Sequence, residues 1–347
     1  VSASKILAIQ FKYFGDAVLM TPSLRALREH FPHSELHVLV PEKITPVLQQ
    51  LPWLDRVWPM PHRRGSATLS QTWPVIRALR REQFDRSVDF ASNDRGAIAS
   101  FLIGARQRLG WAERGGFLGR QFCYNRHVTL ENQVQHESAR LAHLLSAWGI
   151  VPSSFAAEIR ADPALSVVAE ALLPPETIIC HIASSQPKKE WPLTHWAALH
   201  QMAATAGIKL VFSTGVGLRE ESLLKNFKRL APDAPVLEPI HNLALYLATI
   251  QHAKAFISGD TGPLHFAAGL GVPTLALFGP SSPAQWAPVG HQHHFLTGSF
   301  CSCGNVGICQ SANHCLAAIA PEQVFVELEK LAHVMPGVTV RCNNLNC

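Results

Sequence analysis

Short apolar runs alternate with stretches whose apolar residues recur at helical spacing along most of the chain. Residues 5–11 read as a strand, and Gly15-Asp16 then opens a segment in which Val18, Leu19, Leu24, Leu27 and Phe31 share a helical face. Residues 35–40 predict a second strand, 69–81 a helix, 87–90 a third strand, and 97–103 and 141–148 two further helices. Residues 149–175 carry Pro152, Pro163, Pro174 and Pro175 and read as loop-rich linker. The pattern then restarts, with strands at 177–182, 209–213, 255–258 and 274–278 among helices at 193–206, 219–230, 243–251 and 263–270. An amphipathic helix at 321–334 precedes a loose tail. Strands joined through helices pair in parallel, so the pattern predicts an α/β chain with two doubly wound sheets. The expected boundaries are a first domain at 1–155, a linker at 156–175, a second domain at 176–320, and a terminal helix and tail at 321–347.

Composition fits this division. A chain of 347 residues exceeds what one core usually organises. Its 47% hydrophobic and 16% charged residues exclude a disordered or collagen-like protein. The longest apolar runs are strand-sized, well short of the ~18–20 residues of a membrane span. The first residues lack the cationic and apolar pattern of a secretory leader, so a cytoplasmic protein is expected. Charge sharpens the picture further: residues 1–170 hold 20 Lys and Arg against 15 acids, and residues 171–347 hold 10 against 10. The excess of +5 therefore lies in the first half, thickest between Arg56 and Arg126. Such a field attracts nucleic acid, an acidic membrane surface or a phosphorylated acceptor, although solvated helix faces account for part of it.

Ligands of parallel sheets sit beyond the carboxyl ends of the strands, so the loops there carry the chemistry. Ser258-Gly259-Asp260-Thr261-Gly262 follows a strand, and Pro263 stands at the start of the next helix. Backbone N–H groups, the Thr261 hydroxyl and a helix N-terminus there suit a pyrophosphate. Asp260 would repel phosphate, so it is expected to cap the helix or orient the loop. His265 faces the donor or is an ordinary helix-surface histidine. The loop 183–192 offers Ser184, Ser185, Lys188 and Lys189; a lysine here neutralises charge on a departing diphosphate, unless the loop is only a solvated basic turn. Glu220 or Glu221 accepts hydrogen bonds from ribose hydroxyls, or simply begins an exposed helix. Gly215-x-Gly217 is too incomplete for a dinucleotide fingerprint, which weakens a dehydrogenase reading. Asp16 is either a helix N-cap or a general base for an acceptor hydroxyl. The chain has no Asp-x-Asp pair, so metal-independent transfer is expected and no cofactor is required.

Taken together, these loops resemble glycosyltransferase family 9, the ADP-heptose:lipopolysaccharide heptosyltransferases. The resemblance rests on residues 5–9 leading to Gly15-Asp16 and Thr21-Pro22, on Arg108-Leu109-Gly110, and on Lys189-Glu190-Trp191-Pro192. Its strongest part runs from Ser258 through Gly262-Pro263-Leu264-His265 to Ala268, then from Pro273 to Pro280. The resemblance implies a GT-B fold of two facing Rossmann-like domains and an inverting transfer from ADP-heptose to the acidic lipopolysaccharide inner core. It also implies roles: Asp16 as base, Lys189 as donor-phosphate lysine, and Ser184 and Ser185 at the diphosphate. Asp260, Thr261, Gly262, Pro263, Leu264 and His265 form the donor loop, Glu220 or Glu221 holds ribose, and His241 lies near the base. Arg63, Arg64, Arg95 and Arg120 are the expected acceptor contacts. A monomer without nucleic-acid partner, touching the inner face of the inner membrane, is the expected setting. Transfer or epimerisation of another nucleotide sugar, or nucleotide binding without turnover, are the alternatives.

Four of the eight cysteines form Cys301-x-Cys303-x5-Cys309-x5-Cys315, with His314 adjacent. The one-residue first gap departs from usual zinc spacing. The cluster is read as a local structural insert with no metal, zinc or another metal being the alternative.

Overall fold

The computed structural model describes residues 4–61, 69–112, 116–117, 119–129, 136–301, 303 and 315–333. The first half contains β1 (Lys5–Ile9), α1 (Phe14–Leu19), α2 (Thr21–His30), β2 (Glu35–Pro41), α3 (Thr45–Leu48) and β3 (Arg56–Met60). It continues with α4 (Leu69–Arg81), β4 (Arg86–Asp89), α5 (Asp94–Ile103), β5 (Gln107–Trp111), β6 (Arg126–Val128) and α6 (Glu137–His143). The second half contains α7 (Ser166–Leu172), β7 (Thr177–His181), α8 (Leu193–Thr205), β8 (Lys209–Ser213), α9 (Leu218–Leu230) and α10 (Leu243–Gln251). It ends with β9 (Ala255–Gly259), α11 (Gly262–Gly269), β10 (Thr274–Phe278), α12 (Pro283–Trp286), β11 (His293–Thr297) and α13 (Pro321–His333).

The strands form two sheets, ordered β3-β2-β1-β4-β5-β6 and β11-β10-β9-β7-β8, with all pairs parallel. Both faces of the central strands are covered, which is why they read as continuous apolar runs. In β1, Ile6 and Ala8 join one core cluster while Leu7 and Ile9 join another. The chain runs outward from β1 to β3 and returns to β4 on the other side of β1. Right-handed crossovers therefore put α4 and α5 on the face opposite α2. The order reverses between β1 and β4 and again between β7 and β9, which places the ligand crevices beside the loops after β1, β7 and β9.

The two halves share apolar packing. Val18, Leu24 and Val38 belong to the same buried cluster as Leu247, Phe256 and Phe266. The connecting segment is stitched to both: Glu158 N–H donates to Thr21 Oγ1 at 3.0 Å and Ile159 N–H to the Gly269 carbonyl at 2.8 Å.

Three expectations change. The predicted linker contains the 3₁₀ turn Pro163–Leu165 and α7, and α7 packs on α10, so these residues belong with the second half. The proline count concealed a helix that starts three residues after Pro163. Likewise α13 packs on α8 and puts Val324, Leu328 and Leu331 into the second core, so it is part of that domain; the predicted tail lies outside the described residues. Strands β3, β5, β6 and β11 escaped the pattern because they are short and carry arginine, histidine, proline or glycine. No helix among the described residues is long and apolar enough to cross a membrane.

Candidate active site

The loops after β1 and β9 bring the N-termini of α1 and α11 together. Phe14 packs edge-on against Phe266 with ring centroids 5.8 Å apart. A Cβ at Gly15 would lie 2.9 Å from His265 Cδ2, so the approach requires glycine at that point. Asp16 is buried in the first turn of α1, where its Oδ2 accepts the Tyr13 N–H at 3.2 Å. Tyr13, not Asp16, occupies the N-cap position. Burial pushes the Asp16 carboxyl above its ordinary pKa; the Lys12 charge opposes this and the Glu137 charge adds to it. Glu137 is itself buried and gripped by Arg140 through two hydrogen bonds of 2.7 Å.

Across the cleft, Lys189 Nζ donates to Asp260 Oδ2 at 2.6 Å, and His265 Nε2 lies 3.8 Å from Asp260 Oδ1. Burial by itself would raise the Asp260 carboxyl, but His265 and Lys189 outweigh it and hold the group well below the usual carboxylate range. Asp260 is thus an ionised anchor that aims Lys189. It does not cap α11, whose N-cap is Thr261, and Pro263 is the second residue of that helix rather than the first. His265 is only 4% exposed, which excludes the surface reading, and its Nδ1 has no protein partner among the described residues. Gly259 is held in backbone contact with the lysine turn, since a Cβ there would lie 2.4 Å from the Lys189 carbonyl oxygen. That turn is not a solvated basic loop: Lys188 is buried, and Glu190 accepts from both Ser184 N–H at 2.9 Å and Arg219 at 2.8 Å.

Beside this contact lies a cavity of about 710 Å³ whose lining includes Ser184, Ser185, Glu220, His241, Thr261 and Pro263. Of the two candidate glutamates, Glu220 faces the cavity; Glu221, one residue further round α9, lines a neighbouring surface pocket. Leu264 points away, fully buried against Ala276 and Phe278, so its place in the donor loop is structural. Gly262 forms the first residue of α11, against Phe14. Two polar lining residues, His181 and Thr214, were not foreseen as site residues. His181 Nδ1 lies 3.1 Å from Ser213 Oγ and 3.2 Å from Tyr246 Oη, and burial drops its pKa to about 4, so the imidazole is neutral. Thr214 is buried at the cavity wall, and its Oγ1 has no protein partner among the described residues. The available signal was their position at the ends of β7 and β8.

A second cavity, about 1070 Å³, opens beside the first sheet and is lined in part by Lys12, Tyr13, Lys43, Ser70, Gln71 and Asn93. Of the expected arginines, the two among the described residues, Arg95 and Arg120, do not line it. Arg95 lies over the Phe11 ring at 4.8 Å and donates to the Pro61 carbonyl at 2.8 Å. Arg120 is buried and faces Asp94 at 3.5 Å. Both guanidiniums hold loops, and among the described residues the cations that line this cavity are Lys12 and Lys43. Arg63 and Arg64 lie outside the described residues.

Two switch-point crevices, a buried carboxylate on one helix and an ion-paired lysine beside the other fit a sugar-transfer site. A family model described as glycosyltransferase family 9 (heptosyltransferase) matches residues 72–305, more than half of the chain. The chain belongs to glycosyltransferase family 9. It is 24% identical to lipopolysaccharide heptosyltransferase 2 of Escherichia coli K12, over 94% of this chain and 98% of that protein. Among solved structures, the family 9 transferase from Veillonella parvula superposes with a TM-score of 0.83 at 23% identity, covering 96% of this chain and 98% of that one. The E. coli ADP-heptose lipopolysaccharide heptosyltransferase II gives 0.77 at 22%, covering 94% and 98%. The GT-B architecture of this family 9 member is therefore as expected.

Of the cysteine cluster, Cys301 Sγ and Cys303 Sγ lie 2.7 Å apart and Cys315 is buried beneath Gly279 and Gly298. Cys309 and His314 lie outside the described residues. The cluster is remote in sequence from every loop that builds the two cavities.

Proposed function

We propose that this family 9 member transfers a heptose from ADP-heptose to the acidic, lipid-linked inner core of lipopolysaccharide, with inversion and without a metal. The observation that carries the reading is the head-to-head approach of α1 and α11, which sets Asp16 against the Asp260, Lys189 and His265 group. The names of the relatives supply sugar and nucleotide; the geometry supplies the chemistry. The donor occupies the cavity lined by Ser184, Ser185, Thr214 and Thr261, its ribose held by Glu220 and its base near His241. The acceptor enters past Lys12 and Lys43. Asp16 takes the proton of the attacking hydroxyl, the oxygen bonds to the anomeric carbon, and the bond to the β-phosphate breaks with its electron pair passing to ADP. Lys189, steadied by Asp260, and the N-terminus of α11 stabilise that leaving charge, the task a metal performs elsewhere. The protein works as a monomer in the cytoplasm, at the inner face of the inner membrane, and binds no nucleic acid.

The test is ADP release and product mass with a delipidated inner-core acceptor. Asp16→Asn should retain ADP-heptose binding and lose transfer by about 10²–10⁴-fold. Lys189→Ala should weaken both binding and rate, and EDTA should leave the wild-type rate unchanged. Full turnover in Asp16→Asn would remove the base assignment. Preference for a UDP- or GDP-sugar would reject the donor, and conversion of the sugar without acceptor would indicate an epimerase.

A further inference from the structure

We propose that the outer face of α4, α5 and the 3₁₀ turn Arg120–Cys123 docks on an anionic lipid bilayer. The three elements lie side by side on one face of the first sheet: α4 packs on α5, and α5 packs on the turn. Arg80 of α4 donates to the Leu102 carbonyl of α5 at 2.8 Å and ties the layer together. Its solvent side is apolar where soluble surfaces are usually polar. Trp73 is 53% exposed, Phe101 53% and Phe122 75%, with Ile98 and Phe117 also exposed. In α5 the outward stripe is Ile98 and Phe101 while Ala97, Ala99, Ser100 and Ile103 are buried, so that helix is apolar on both sides.

Charge on the same face selects the partner. Trp73, Arg77, Arg80 and Arg81 follow one another at helical spacing along α4, and Arg106 and Arg126 are exposed beside α5 and the turn. Among the described residues from 69 to 129, nine arginines stand against four acids. Of those acids, Asp89 is buried, Glu82 binds Lys5, Asp85 pairs with Arg106 and Asp94 with Arg120. No acid among the described residues pairs with Arg77, Arg81 or Arg126. By contrast, the exposed Val167, Val168 and Leu172 of α7 lie on a helix that carries Glu170 and follows Asp162. Aromatic side chains interleaved with arginines suit an interface in which rings enter the headgroup layer and guanidiniums meet lipid phosphates.

The location is useful, given the acceptor reading above. Ser70, Gln71 and Pro74 of α4 and Asn93 at the start of α5 line the larger cavity, so this face adjoins its mouth. A lipid-linked acceptor in the docked bilayer presents its sugar at that rim.

The test uses the full chain and co-sedimentation with phosphatidylglycerol-rich vesicles against pure phosphatidylcholine vesicles. Wild-type protein should pellet with the former, less so as salt rises. Phe101→Ser with Phe122→Ser, and separately Arg77→Glu with Arg81→Glu, should each weaken binding about tenfold or more. Circular dichroism confirms folding, and each variant should keep the wild-type rate on the delipidated acceptor. Equal binding to both vesicle types, no binding to either, or unaltered binding by both pairs of variants overturns the proposal. Vesicle binding as expected without sugar transfer would instead overturn the enzymatic reading and leave the docking face standing.

Discussion

At the scale of single residues, Asp16 is held against its own preference, because the buried carboxyl favours the proton and the proposed base role needs it gone. Acidification through this raised pKa removes the base, so the rate should fall at a pH above the ordinary carboxylate range. Lys12 favours the ionised form and Glu137 opposes it. The acid limb of kcat/KM should therefore move to higher pH in Lys12→Met and to lower pH in Glu137→Gln; limbs fixed in both variants would show that another group titrates. The same shift has a cost in stability. A carboxyl with a raised folded pKa contributes stability below its unfolded pKa and loses it as pH rises through the folded value. Asp16→Asn should accordingly raise Tm at neutral pH while abolishing turnover, with the gain vanishing on acidification. Thermal melts across pH check this, and a lower Tm at every pH would contradict it. Asp16, Lys189 and Asp260 stood out in the sequence because each lies in or beside a short strand-to-helix loop. Their pairing did not: it is the fold that sets Asp260 on Lys189 and turns Leu264 inward beside Thr261 and Pro263.

Among the elements, the strands that could be read were the largely buried β1, β2, β4, β7, β8, β9 and β10, and the loops after β1, β7, β8 and β9 line the cavities. Edge strands such as β6 and β11 have one flank without a neighbour and tolerate polar residues, which erases their signal. The contact that positions Lys189 is equally invisible in the pattern, since it depends on β9 touching the turn before α8 through backbone atoms. Gly259→Ala would drive a Cβ into the Lys189 carbonyl. Overpacking of this kind costs about 1–3 kcal/mol and should also displace the lysine, raising KM for the donor. Denaturant melts together with donor titration test the claim; wild-type stability would show that the turn yields without cost.

Across the whole molecule, the two sheets are bound by one continuous buried cluster that runs from Val18 and Leu24 through Ile159 to Phe256 and Phe266. Domains joined only by a linker would melt apart. Here the shared core predicts a single calorimetric transition, and two well-separated endotherms would count against it. The excess of positive charge in the first half also finds its meaning at this scale. Read along the chain, the arginines looked like direct acceptor contacts. In the fold, Arg95 and Arg120 hold loops, Lys12 and Lys43 line the larger cavity, and Arg77, Arg80 and Arg81 spread over an outer face rich in exposed aromatics.

Sequence alone determined the two parallel sheets, the order of their central strands and helices, and which strand-to-helix loops lie at the carboxyl ends of the strands. It did so because buried strands, helix starts and tight turns each demand particular residues locally. Only the tertiary structure decided which of those residues meet. The approach of α1 to α11, the facing of Glu220 but not Glu221 into the cavity, the neutral His181 and the Thr214 hydroxyl without a protein partner among the described residues depend on distances between segments far apart in the chain. Such distances follow from how the two sheets pack, and no local pattern encodes them.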